Sequence, residues 1–81
     1  VTNKPIIVDA RGHRCPVPSL RLRKAIAEHR DVEAFRLLAT DPMARIDVPY
    51  LMAELGGRVL SVTEDAGEMT ITVERHGAPK D

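Results

Sequence analysis

The sequence predicts an α+β domain: a two-layer α/β sandwich in the order β-α-β-α-β-β, with a four-stranded mixed sheet and two helices on one face. Four short runs have strand character, residues 6–8, 33–40, 58–64 and 68–74. Two longer stretches between them have helical spacing. Both open on prolines, and the second closes on Gly56-Gly57. The last two strand runs are joined by Asp65-Ala66-Gly67, which is hairpin chemistry.

Ile6-Ile7-Val8 is apolar and β-branched, the pattern of a buried strand. Asp9 to Arg14 reads as a loop, with Gly12 a candidate for positive φ. From Pro16 the period becomes helical. Pro16 or Pro18 suits a first turn, where a missing N–H costs nothing. Pro18, Leu22, Ala25, Ile26 and His29 fall on one face of a helix expected to end near Arg30.

Phe35, Leu37 and Leu38 give the second strand its apolar surface. In Thr40-Asp41-Pro42, Asp41 reads as an N-cap and Pro42 as a first helical residue. Asp47-Val48-Pro49 resembles a second start, so the sequence predicts an irregular first turn before a clear helix up to Leu55. In the hairpin, Val59, Ser61 and Thr63 alternate with Leu60, Val62 and Glu64, and Met69, Ile71 and Val73 with Thr70, Thr72 and Glu74. Crossovers of this type are right-handed and make the first two strands parallel. Their following loops then emerge at one end of the sheet, where ligand sites of open α/β sheets gather. That geometry brings Asp41 towards Cys15.

The 81 residues suit one domain over 1–81, with an ordered core of about 6–75 and loose termini. Hydrophobic residues are 43% of the chain, and Phe35 and Tyr50 are its only aromatics, so the core is aliphatic. Net charge is zero but uneven: residues 1–30 carry seven cations and two anions, residues 31–81 five cations and ten anions. With neither net positive charge nor stacking aromatics, direct nucleic-acid binding is not expected. No apolar run is long enough to span a membrane, and no signal peptide is visible. Catalytic triads, phosphate cradles and dinucleotide fingerprints are absent too.

Cys15 is the single cysteine, so it closes no disulfide within the chain, and a reducing compartment, the cytoplasm, is expected. It sits in Gly12-His13-Arg14-Cys15-Pro16-Val17-Pro18, just ahead of a helix. Open N–H groups and the positive dipole end favour a thiolate there, and Arg11 and Arg14 add to that expectation. A thiolate so placed attacks disulfide or persulfide sulfur. The prolines stiffen its presentation. The bland alternative is a small buried hydrophobe.

"VDARGHRCPVPSLRLRKAI" resembles the N-terminal signature of the TusA/SirA-like sulfur-carrier family. There an Asp follows the first strand, a Gly precedes the loop, and Cys-Pro-x-Pro opens the first helix. "LLATDP", "DVP" and the closing hairpin fall in register with it, so the similarity covers about residues 6–75. It implies the βαβαββ sandwich with the last strand antiparallel, and a sulfurtransferase that carries sulfur as a persulfide on Cys15. It implies a sulfur donor of the cysteine desulfurase or rhodanese type and a protein acceptor, met in transient complexes by a monomer. The uses it implies are tRNA thiolation, cofactor synthesis and dissimilatory sulfur oxidation. No cofactor beyond the persulfide sulfur is expected. His13 departs from the family, where Leu is common, and the departure bears on partner docking or on the local pKa.

Around Cys15, Asp9 reads as an Asx-type brace of the loop. His13 is a candidate proton acceptor, though loop histidines are commonly solvated. Val17, Arg21 and Lys24 are candidate docking contacts, and Met43 and Met52 read as packing. His13, Cys15, His29 and His76 make a poor metal set, since structural zinc wants four ligands at recurring spacings; no metal is expected. His29 suits a half-buried helix end. A non-catalytic regulatory or protein-binding adaptor that tolerates Cys15→Ser is the competing function. A thiol-redox role would need a second thiol.

Overall fold

A computed structural model describes residues 4–75. Strand β1 (Ile6–Ala10), helix α1 (Val17–Glu28), strand β2 (Ala34–Ala39), helix α2 (Ala44–Leu55) and strands β3 (Arg58–Asp65) and β4 (Glu68–Glu74) follow one another. The sheet order is β1-β2-β4-β3. β1 and β2 pair in parallel, and β4 runs antiparallel between β2 and β3. The expected mixed sheet is thus present, and the last strand is its antiparallel member.

One sheet face meets both helices. Phe35, Leu37 and Ala39 on β2 and Met69, Ile71 and Val73 on β4 alternate inward, as period-2 strands require. Leu22 and Ile26 of α1 and Val48, Leu51 and Met52 of α2 close over them. The core is aliphatic except for Phe35, which is fully buried.

Several sequence expectations need correction. β1 continues through Asp9 and Ala10, because parallel pairing with Leu38 and Ala39 extends the strand beyond the apolar run. Asp9 is therefore a strand residue, not the start of a loop. α1 stops at Glu28, and His29 is an exposed C-cap rather than a member of the packed face. Asp47-Val48-Pro49 starts nothing: Pro49 lies inside one continuous helix from Ala44, preceded by a hydrogen-bonded turn over Asp41 to Ala44. Met52 is buried as expected, but Met43 is 47% exposed.

A bulge between Val59 and Ser61 breaks the alternation expected in β3 and puts Val62, not Ser61, on the helix side of the sheet. The hairpin turns on two residues, Ala66 and Gly67, both at positive φ, as a type I′ turn requires. Ala66 tolerates that region less readily than glycine would.

The end of α1 has no basic residue in its own last turn. Arg75 supplies the cation from β4's far end. Its guanidinium donates to the carbonyls of Ile26 (2.9 Å), His29 (2.6 Å) and Val32 (2.7 Å) and lies over the Phe35 ring. This satisfies carbonyls that a helix end otherwise leaves open.

Candidate functional site

The Cys15 loop is built at the carboxyl end of β1, beside the loop that follows β2. Parallel pairing of these strands puts the two loops together, and side chains then tie them. Thr40 Oγ1 accepts the Gly12 N–H at 2.8 Å. Asp41 Oδ2 accepts the Cys15 N–H at 2.8 Å, and Asp41 Oδ1 accepts the Met43 N–H at 2.9 Å. One carboxylate thus closes the turn into α2 and fixes the backbone of the cysteine; because Asp41 to Ala44 form that turn, the N-cap is Met43 rather than Asp41, and Pro42 precedes the helix instead of opening it. The two N–H bonds, Met43 first and then Cys15, with the charge of Arg14, hold the Asp41 carboxyl below the ordinary carboxylate range.

The loop is also braced from within. Asp9 Oδ1 accepts the Arg11 N–H at 3.1 Å, the Asx-type contact, and the Arg11 guanidinium closes a two-point ion pair on the same carboxylate. Hydrogen bonding to Arg11 brings Asp9 down to about 2. Gly12 sits at φ +83 with open space where a Cβ would point. Its requirement is conformational rather than steric; a non-glycine residue there costs about 1–2 kcal/mol. Val17 N–H bonds the Arg14 carbonyl at 2.9 Å, closing a turn around Cys15 and Pro16, whose peptide bond is cis.

Cys15 is half-buried, a free thiol packed against the core. The structure overturns the expected stabilisation of its thiolate. Burial first, then hydrogen bonding and charge from Asp47, then the charge of Asp41, push the thiol up to about 12. Two of the donors expected at the helix mouth are missing there, since Val17 N–H is bonded to Arg14 and Pro18 has none. Arg11 turns away to Asp9 and Glu68, and Arg14 acts on Asp41. The thiol makes no hydrogen bond of regular geometry among the described residues.

Asp47 is the residue that sequence reasoning missed as part of the site. Asp47-Val48-Pro49 drew notice as a helix start and as a stretch in register with the family, not as a contact of the thiol. Once α2 begins at Ala44, Asp47 lies in its first turn, half-buried in a groove of about 310 Å³ that also touches Pro16 and Leu20.

The remaining candidates divide. Pro18 is buried and Pro16 exposed, so one anchors α1 and the other borders the sulfur. His13 bonds its N–H to the Ala10 carbonyl and lines a separate hollow with Arg14, Thr40 and Asp41. Val17 is half-buried. Arg21 and Lys24 face β1: Arg21 reaches the Asp9 carbonyl at 3.5 Å and Lys24 pairs with Glu28. They line a groove against β1, away from the Asp47 groove. No group of three or more His, Cys, Asp or Glu placed to hold a metal occurs among the described residues, and His76 lies outside them. No helix there is long and apolar enough to cross a membrane.

Residues 6–75, from β1 to just past β4, match the family model described as sulfurtransferase TusA. The chain belongs to the TusA family. It is 37% identical over 60 residues to the sulfur carrier protein TusA of Pseudomonas entomophila, covering 74% of this chain and 75% of that one. To the sulfur carrier protein TusA of Pseudomonas putida (strain F1) it is 36% identical over 61 residues, 75% of this chain and 76% of the relative. The fold matches the crystal structure of a SirA-like protein from Desulfitobacterium hafniense with a TM-score of 0.77 and 25% identity. That match covers 89% of this chain and 99% of the other. Membership of the TusA family gives the chain a role in sulfur carriage and transfer, exercised between donor and acceptor proteins.

Proposed function

We propose that the chain accepts sulfane sulfur as a persulfide on Cys15 and passes the outer sulfur to an acceptor protein, shuttling rather than turning over substrate alone. The observation that carries this is the bond from the Cys15 N–H to Asp41. It spends a buried-side carboxylate on the backbone of a half-buried, unpaired cysteine, in a loop that Thr40 and Asp9 also fix. A packing cysteine needs no such bracing, whereas a sulfur handed between proteins needs a constant position. With no second thiol in the chain, an outgoing sulfur must leave to another molecule. Asp9, Gly12, Thr40 and Asp41 position the loop, and Pro16 borders the sulfur. The donor is a persulfide-bearing protein of the cysteine desulfurase or rhodanese type, and the setting is a cytoplasmic sulfur relay.

The test is intact mass after incubation with a low-molecular-weight persulfide. One added sulfur atom is expected on the full chain and none on Cys15→Ser. An unmodified wild-type chain, or an adduct that survives Cys15→Ser, overturns the reading and returns the adaptor function to first place.

A further inference from the structure

Between α1 and α2, the groove that Pro16 and Asp47 line has an apolar rim. Tyr50 is 73% exposed, Leu20 55%, Ile46 51% and Met43 47%. Leu20 on α1 and Tyr50 on α2 line the groove, and Ile46, one turn before Tyr50, and Met43, the N-cap of α2, are exposed beyond its lining. Exposed apolar side chains gathered in this way mark an interaction surface. Its charges are lopsided. At the far end of the groove Glu54 is paired with Arg23 at 3.1 Å. At the sulfur end, Asp47 is half-buried and has no ionic partner among the described residues. Arg23, the α1 cation that lines this groove, is the one held by Glu54, and Arg21 and Lys24 lie on the β1 side of α1.

We propose that the unoccupied carrier keeps Cys15 masked beside Asp47, and that the docking partner unmasks it by bringing a lysine or arginine, set in an apolar contact surface, into the groove against Asp47. This rests on the carrier reading of Cys15. An apolar rim around one uncompensated carboxylate complements an apolar surface bearing one cation; an acidic surface would meet Asp47, Asp41 and Glu54 with like charge. The cation has a chemical consequence as well as a docking one. An anion beside a thiol favours the protonated form, and a cation beside it favours the thiolate. Pairing Asp47 replaces the first with the second, so the nucleophile forms when the donor is in place.

The transfer then balances. Cys15 Sγ–H gives its proton to solvent, and the thiolate attacks the outer sulfur of the donor persulfide. The donor S–S bond breaks, and its cysteine leaves as a thiolate that takes up one proton. The sulfane sulfur moves without net oxidation or reduction.

The experiment compares two thiosulfonate reagents on the folded full chain, one with a trimethylammonium-ethyl and one with a sulfonatoethyl group. Their rate ratio is normalised to that on N-acetylcysteine amide. An uncompensated anion beside the sulfur raises the cationic-to-anionic ratio about tenfold, the weight of one pKa unit. Asp47→Asn, verified as folded by circular dichroism, collapses the ratio, and Asp47→Glu keeps it. A ratio near one in the wild type, or one indifferent to Asp47→Asn, overturns the inference. With a purified cysteine desulfurase as donor, Tyr50→Asp raises KM about tenfold, equivalent to about 1.4 kcal/mol of docking; an unchanged KM overturns the docking half. If the wild type takes up no sulfur in the mass experiment, the carrier reading itself has failed. If it does and the charge ratio is flat, only this inference has.

Discussion

The two ends of the sheet satisfy open backbone groups with opposite charges. At the end where β2 begins, one cation closes the structure: Arg75 meets three carbonyls around the end of α1 and covers the buried Phe35 ring. At the end where β1 and β2 finish, a carboxylate does the corresponding work. Asp41 accepts N–H groups from the start of α2 and from Cys15. The Arg75 end serves stability alone. The Asp41 end also fixes the backbone of Cys15, the proposed carrier, and it leaves Asp47 without a counter-charge among the described residues. Stability and function are thus separable along the strand axis, and substitutions at the two ends should report different things.

The largest effect is expected from emptying the core above the Arg75 end. Phe35 is fully buried in a small core, so Phe35→Ala should cost about 3–5 kcal/mol by denaturant unfolding. That is a large share of the stability of so short a chain. Arg75→Ala should follow at about 2–3 kcal/mol, since it strips charge-assisted bonds from three carbonyls. At a temperature where the variant stays folded, persulfide loading of Cys15 should be unchanged. A loading defect in folded Arg75→Ala would break the separation of the two ends.

Asp41→Asn probes the other end and should cost less stability than Arg75→Ala. An amide oxygen still accepts one N–H, but the second carboxylate oxygen becomes a donor. Amide exchange at Cys15 and Met43 should accelerate, and sulfur loading should slow through loss of a fixed sulfur position. The variant should also lose part of the acid limb of stability. The folded carboxyl of Asp41 lies below its unfolded value, so its contribution is present above about pH 4 and is lost as pH falls through the folded value. Asp9, at about 2 in the folded chain, acts in the same sense. An acid limb identical in wild type and Asp41→Asn would show that the two N–H bonds do not hold the carboxylate.

The legible parts of this molecule were those written locally. Proline before and glycine after a helical period, alternation in β4, and Asp-Ala-Gly between two strands each specify an element from a few neighbouring residues. The approach of Asp41 to Cys15 was legible too, because the right-handed crossover makes it a matter of topology. What could not be read depends on distant partners. Asp9 and Ala10 look like loop residues until β2 pairs with them. Arg75 looks like part of a loose tail until the end of α1 comes to meet it. Cys15 carries two arginines beside it in sequence, but folding assigns Arg11 to Asp9 and puts Asp47 against the thiol instead. The sign of the field at the sulfur is a tertiary property that the local charge pattern inverts.

Read no higher than about pH 10, the smallest effect gives the most direct test of that sign. Below about pH 9 the Cys15 thiol is protonated in both the folded and unfolded chains, so it contributes nothing to the slope of stability with pH. Above about pH 9 the unfolded chain releases this proton while the folded chain holds it up to about 12. The unfolded state then binds fewer protons than the native state, and unfolding becomes easier as pH rises. Cys15→Ser removes this titration and leaves the other alkaline groups in place. The difference in unfolding free energy between wild type and Cys15→Ser should be constant from pH 7 to about 9, then move steadily against the wild type as pH rises further. Parallel curves across that range would mean that the thiol ionises as easily in the fold as outside it, and the contrast between a saturated structural end and a masked reactive end would be lost. A divergence of the opposite sign would restore the cationic setting that the two neighbouring arginines imply.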